Sequence, residues 1–219
     1  MKNLFKGDPF PSMVDLIPEG PSGDWRIEYF EITERGAFAL KLRDAYNKHR
    51  NSQVYTPAGK YAKLVQLLPH RSAPLVHVVP VMSDTMMERK MMLEAYKHAH
   101  GAVLLVGLGL GMLAQAVACK SNVRLVHVLE KSIDVVALTL RHLHTRLMIQ
   151  MGDAFSYKRY GMRYDMIYVD IWNGICQDNL PEIRKLKKRF KPYLRDTDKS
   201  WIGAWSEKEL LAHASVHAV

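Results

Sequence analysis

The residues best suited to chemistry begin with a glycine-rich stretch, Val103-Leu-Leu-Val-Gly107-Leu-Gly109-Leu-Gly111-Met112. An apolar run of strand character precedes it and an apolar helical pattern follows it. In that setting glycines let the backbone turn sharply and approach a ligand with no Cβ in the way. The helix start beyond them offers free N–H groups to anionic atoms. A tight strand-to-helix turn with nothing bound would use the same glycines. Nineteen residues after Gly111 the apolar run 123–129 ends in Glu130, and an acid at a strand end can accept both hydroxyls of a ribose. Gly152-Asp153-Ala154 places a second carboxylate after the next apolar run. Crevices at the C-terminal edges of strands are where open α/β sheets bind ligands. Each acid alone could be a solvated loop residue or a helix cap, and it is their joint order along the chain that points to a nucleoside site.

After the run 165–169 the chain continues Asp170-Ile-Trp172-Asn173-Gly-Ile-Cys176-Gln-Asp178. An aromatic face with a carboxylate and an amide nearby suits a flat or cationic substrate. Trp172 could equally pack the sheet edge, and Asp178 or Asn179 could cap the helix that follows. Nothing in the sequence supplies Cys176 with a base, so it reads as an idle thiol. His98 with His100, and His142 with His144, stand two apart and point in different directions on a helix, so no metal site is assigned. Residues 184–195 hold seven cations and no acid (Arg184, Lys185, Lys187, Lys188, Arg189, Lys191 and Arg195). Ile183, Leu186 and Phe190 recur at helical spacing, so one face packs and the other is positive. That face is either solvated or a surface for an anionic partner such as nucleic acid.

These residues need elements to hold them. From about residue 83 onward the apolar pattern alternates between strand and helix lengths, with strands at 103–106, 123–129, 146–151, 165–169 and 201–205. Helices are expected from Ser83 or Asp84 to about His100, and over 112–119, 133–144, from Asn179 (with Pro181 in the first turn), and over 207–213. Strand and helix alternating at this spacing predicts a parallel sheet covered on both faces. The first 24 residues, rich in proline, glycine and acid, read as an irregular arm. Residues 25–82 read as β-rich, with a hairpin of 25–32 and 37–43 about a turn at Glu34-Arg35-Gly36, and further strands at 60–68 and 74–82. The division is therefore an arm over 1–24, a β-rich region over 25–82 and an α/β domain over 83–219.

The dinucleotide fingerprint asks for glycine or alanine where Met112 stands, which counts against NAD. The order GxGxG, acid after the second strand, Gly-Asp after the third and Tyr164-Asp-Met-Ile-Tyr-Val-Asp170 for the fourth resembles the class I S-adenosylmethionine-dependent methyltransferases. More narrowly it is similar to their spermidine synthase branch, over roughly residues 84–205. Met82-Ser-Asp-Thr and Asp170-Ile-Trp-Asn also resemble methyltransferase-like proteins of phages. The resemblance implies a Rossmann-like fold with a β-rich N-terminal extension. It implies that Gly107, Gly109 and Gly111 face the methionine part of S-adenosylmethionine, that Glu130 holds its ribose and that Asp153 holds the adenine amino group. It implies that Asp170 is the catalytic carboxylate that helps deprotonate the attacking group, with Trp172 and Asn173 toward the substrate. Leu110 stands where spermidine synthases carry an acid, and Asn173 where their fourth-strand motif has its second. Their helix-start tyrosine and acid fall on or near Glu88 and Lys90. Methyl transfer is therefore expected before aminopropyl transfer from decarboxylated S-adenosylmethionine, with a small-molecule or nucleic-acid acceptor. A non-catalytic, basic nucleic-acid-binding module is the rival of a different class.

Composition fits this frame. With 219 residues, 48% apolar and 24% charged, the chain can bury a core of ordinary size, which excludes disorder, collagen and coiled coil. A net charge of +9 is compatible with an anionic partner. Two cysteines make neither a disulfide framework nor a four-ligand zinc site, and a reducing, cytoplasmic compartment is expected. No signal peptide is expected, and the uncharged run 102–119 is broken by glycines and reads as strand, loop and helix rather than a bilayer span. Few residues follow Trp205, so the sheet is expected to hold five strands or to be completed by another subunit in a homo-oligomer.

Overall fold

The computed structural model describes residues 4–46, 55–69, 76–158 and 161–216. Its first sheet is antiparallel, in the order β1 (Gly20–Ser22), β2 (Trp25–Ile32), β3 (Gly59–Pro69), β4 (Val76–Ser83). The expected hairpin of 25–32 with 37–43 does not form, because the second segment is helical, within α1 (Glu34–Tyr46). Thr33 starts that helix by accepting the Gly36 N–H on its hydroxyl at 3.1 Å. Alanines and leucines, strong helix formers, continue it. The partner of β2 is β3, in a register running from Trp25 opposite Gln66 to Ile32 opposite Gly59.

Residues 4–24 pack onto the rest of the protein. They contain a short 3₁₀ turn (Met13–Asp15) and β1, and they sink Phe10, Met13 and Ile17 into the core. The anchor is Arg89, the largest fully buried side chain. Its guanidinium donates to the Asp84 carbonyl at 2.7 Å, the Asp8 carboxylate at 3.0 Å, and the carbonyls of Phe10 and Pro11 at 2.7 Å each. Asp84 in turn accepts the N–H groups of Met13 and Ala62 at 2.8 Å. Asp84 is thus occupied in tying chain segments together, and the position before α2 (Met86–His98) is taken by Thr85 rather than by Ser83 or Asp84.

The second sheet is parallel and five-stranded, in the order β7 (Leu147–Met151), β6 (Val123–Glu130), β5 (Gly101–Val106), β8 (Met166–Val169), β9 (Trp201–Ala204). Numbered within that sheet the order is 3-2-1-4-5, the Rossmann-like arrangement, so the expected α/β fold is present. Side chains of β5 alternate between two apolar layers. Val103 and Leu105 face one with Val126, Val128, Met166 and Tyr168, while Leu104 and Val106 face the other with Leu129, Ile167 and Val169. Helices α3 (Met112–Ala118) and α2 cover the first layer, and α5 (Asn179–Phe190) covers the second. Helix α4 (Ile133–Thr139), after β6, adds Val135 to the first layer, and α6 (Glu207–Val216), after β9, adds Leu210 to the second. No described helix is long and apolar enough to cross a membrane.

Candidate functional site

Reversal of strand order beside β5 leaves a crevice at the C-terminal strand ends, and a cavity of about 660 Å³ lies there. The glycine loop between β5 and α3 forms its floor. Gly107 has φ of +105°, and a Cβ on it would run into the carbonyl oxygen of Asp170, so only glycine fits where the loop passes the neighbouring strand end. Gly107 and Gly109 line the cavity. Gly111 does not, contrary to the expectation that all three face a cofactor. It turns the chain into α3 with φ of +74°, packed against Leu143. Leu110 is buried, its N–H 3.4 Å from the sulfur of Met82.

Glu130, at the tip of β6, folds back on the loop. One carboxylate oxygen accepts the Leu108 N–H at 2.8 Å, and the other accepts the N–H groups of Lys131 and Ser132 at 2.8 Å each. A carboxylate offers about four acceptor positions. One is therefore left for a hydroxyl in the cavity, where the sequence suggested two could be held. Asp153, after β7, accepts the Phe155 N–H at 2.8 Å and pairs with the Lys131 ammonium at 2.7 Å. That bond to Lys131, then the bond from Phe155, holds its carboxyl below the usual range, so it is ionised.

Asp170 stands at the tip of β8, half-buried on the cavity wall. Its N–H donates to the Val106 carbonyl at 2.8 Å, which fixes the strand end against the glycine loop. Burial, and then the charge of Glu88, push its carboxyl up to about 8. Glu88 is the residue whose weight the sequence did not reveal. It lies in the first turn of α2, lines the same cavity and is pushed up to about 7 by burial, opposed by a hydrogen bond with the Trp205 side chain. A signal for it existed. Met92 and Ala95, four and seven residues on, are both buried, so Glu88 is a lone acid on the core-facing stripe of an amphipathic helix. Two carboxyls that disfavour each other's charge and titrate near neutrality make a proton-accepting pair.

Trp172 and Asn173 form the rim. The Trp172 indole N–H donates to Glu182, in the first turn of α5, at 2.7 Å, and Asn173 is exposed. Asn179 is not a capping residue: it is buried and its amide donates to the Gly174 carbonyl at 2.8 Å, closing the loop beneath Trp172. A smaller cavity of about 380 Å³, reaching from Phe30 and Pro80 of the first sheet, shares Met82, Glu88 and Asn173 with the main one. Both cysteines are exposed free thiols. Among the described residues no cluster of three or more His, Cys, Asp or Glu could hold a metal ion.

The cavity is unusually acidic for a chain of net charge +9. Among the described residues its wall holds the carboxyl groups of Glu88, Glu130, Asp153, Asp170 and Glu182 against one cation, Lys131, already paired with Asp153.

Neither a protein-family model nor a curated relative matches this chain. Among solved structures it is similar to the CcbJ methyltransferase from Streptomyces caelestis, at 19% identity over 43% of this chain and 39% of that one, with a TM-score of 0.37. It is also similar to the N-methyltransferase NodS from Bradyrhizobium japonicum in complex with S-adenosyl-L-homocysteine, at 11% identity over 51% and 59%, TM-score 0.41. A DhpI complex with S-adenosylmethionine matches at 16% identity over 57% and 58%, TM-score 0.42. The match thus spans about two fifths to three fifths of those chains.

Proposed function

We propose that this protein binds S-adenosylmethionine and transfers its methyl group to a nucleophile placed beside Asp170. The observation that carries the reading is the acid-lined cavity itself. A glycine loop and acids at three strand tips are what a nucleoside site needs, yet the one cation on the wall is engaged by Asp153. A pyrophosphate would meet carboxylates there, whereas a ligand with a sulfonium and an ammonium would be attracted. The residues present fit that ligand. Gly107 and Gly109 bring backbone without a side chain to the cavity wall, Glu130 keeps one acceptor position for a ribose hydroxyl, and ionised Asp153 can accept an amino group.

Bound there, the sulfonium supplies a methyl carbon open to in-line displacement, the carbon–sulfur bond pair returning to sulfur. The chain contributes position, a dry wall and a proton acceptor. Asp170 in its ionised form takes the proton that the nucleophile sheds; burial and then the Glu88 charge make that form basic, so the rate should climb as pH rises toward about 8. Trp172 and Asn173 stand where the acceptor enters.

Calorimetric titration with S-adenosylmethionine, S-adenosylhomocysteine, decarboxylated S-adenosylmethionine and NAD in parallel tests this. Micromolar binding of the first two is expected, with little binding of NAD. A preference for the decarboxylated form would replace methyl by aminopropyl transfer, and no binding of any of them would refute the reading. Once an acceptor is found, Asp170→Asn should lower kcat by about 10²- to 10⁴-fold while the cofactor still binds.

A further inference from the structure

We propose that the outer face of α5 is a nucleic-acid-binding surface. The inner face is committed, since Leu180, Ile183, Leu186 and Phe190 are buried beneath the sheet. Three cations of the run are engaged as well. Lys187 pairs with Glu207 at 2.7 Å, Arg195 with Asp165 at 3.2 Å, and Arg189 donates to the Tyr157 carbonyl at 2.6 Å. Arg184, Lys188 and Lys191 are exposed and form no ion pair among the described residues. Arg184 and Lys188 stand four apart on one face of α5, a rise of about 6 Å, and Lys191 follows three residues on at the C-terminal cap, a row of charges suited to the successive phosphates of a strand.

The helix gains from Lys188 and Lys191 at its end but not from Arg184. Cations at the C-terminal turn complement the helix dipole, but Arg184 lies mid-helix, and like charges at Arg184 and Lys188, one turn apart, repel. An anionic bilayer is a poorer occupant, because a membrane-surface helix inserts its apolar face and that of α5 is in the core. The N-terminal half of α5 also borders the cavity. Lys185 lies 5.3 Å from the centre of the Phe155 ring and Glu182 holds Trp172, and both aromatic residues line the cavity. A strand followed toward the N-terminus of α5 therefore arrives where an acceptor would enter.

Binding is measured by fluorescence anisotropy on the full chain, with labelled oligonucleotides of about 20 residues, DNA and RNA, single-stranded and duplex, between about 50 and 200 mM salt. The variant R184Q/K188Q/K191Q is compared with R35Q/K41Q/R43Q, which removes as many exposed charges from α1. Circular dichroism confirms that both are folded. The α5 variant is expected to lose roughly tenfold or more in affinity, with the slope of log K against log salt shallower by about 2 to 3, while the α1 variant changes less than about threefold. The DNA and RNA arms identify the polymer. Equal losses in both variants would overturn the proposal by reducing it to net charge, as would the absence of salt-dependent binding by the natural chain. Tighter α5-dependent binding to phosphatidylserine vesicles than to any oligonucleotide would overturn it too.

Discussion

Replacing Asp170 by Asn should stabilise the protein, and increasingly so as the pH rises. In the unfolded chain this carboxyl ionises near 3.8, whereas burial and the Glu88 charge hold it at about 8 in the fold. Between those values the folded state keeps a proton that the unfolded state has lost. Stability must therefore fall as pH rises through that window, by about 1.4 kcal/mol per pH unit for one such group. The full span corresponds to a ceiling of about 6 kcal/mol, and water reaching the half-buried side chain through the cavity lowers the net cost to about 2–4 kcal/mol. Asn keeps the shape and removes the charge. The expected gain is about 1 kcal/mol or less near pH 5 and about 2–4 kcal/mol near pH 9, the latter roughly 5–12 °C in Tm for a chain of this size. Thermal unfolding of both proteins across that range, followed by circular dichroism, measures it. Parallel pH curves would refute the reasoning, because a solvated carboxylate with an ordinary pKa leaves no pH-dependent difference there.

Two other substitutions probe the supports of the site. Gly107→Ala forces a side chain into left-handed backbone at φ of +105° and against the Asp170 carbonyl, so a loss of about 3 kcal/mol or more is expected in denaturant unfolding. Gly20→Ala, in open space, serves as the control and should stay within about 0.5 kcal/mol. Arg89→Met leaves the carboxylates of Asp8 and Asp84 buried without their cation and should cost about 3–5 kcal/mol. Hydrogen exchange should then rise first in the segment around Phe10, Met13 and Ile17. Unchanged exchange there would mean that apolar burial alone holds it.

What the sequence revealed was what repeats regularly along it. The strands of the parallel sheet are continuous apolar runs because both their faces are covered, and the turns between them carry the glycines and acids, so Glu130, Asp153 and Asp170 were legible as strand-tip residues. What it concealed depends on contacts across long separations. Arg89 reads as one more charge in a helix until Asp8, 81 residues earlier, meets it. Residues 37–43 have loose apolar character that suits either element, and the helix won because Thr33 can start it and β3 supplies the pairing that β2 needs. Gly111 looked like a cofactor contact because the spacing treats three glycines alike, but the chain has already turned away into α3 by that point. Glu88 stands far in sequence from every other acid of the cavity except through the fold.

Net charge and local charge point in different directions in this molecule, and the difference is functional in kind. A field summed over the surface governs how a long polyanion approaches, since screening removes individual charges beyond about 10 Å while a row of them acts together. A field inside a cavity is set by the few groups on its wall, where lower dielectric magnifies each. The chain carries +9 overall, but among the described residues its cavity wall gathers five carboxyl groups around one paired lysine, while Arg184 and Lys188 of α5 and Lys191 at its C-terminal cap stand exposed outside any ion pair. On the nucleic-acid surface proposed above, phosphates would be repelled from the crevice and attracted to α5. A polymer held by its backbone on α5 would keep that backbone out of the cavity and could present only an uncharged or cationic group to Asp170, which is the kind of group that has a proton to lose.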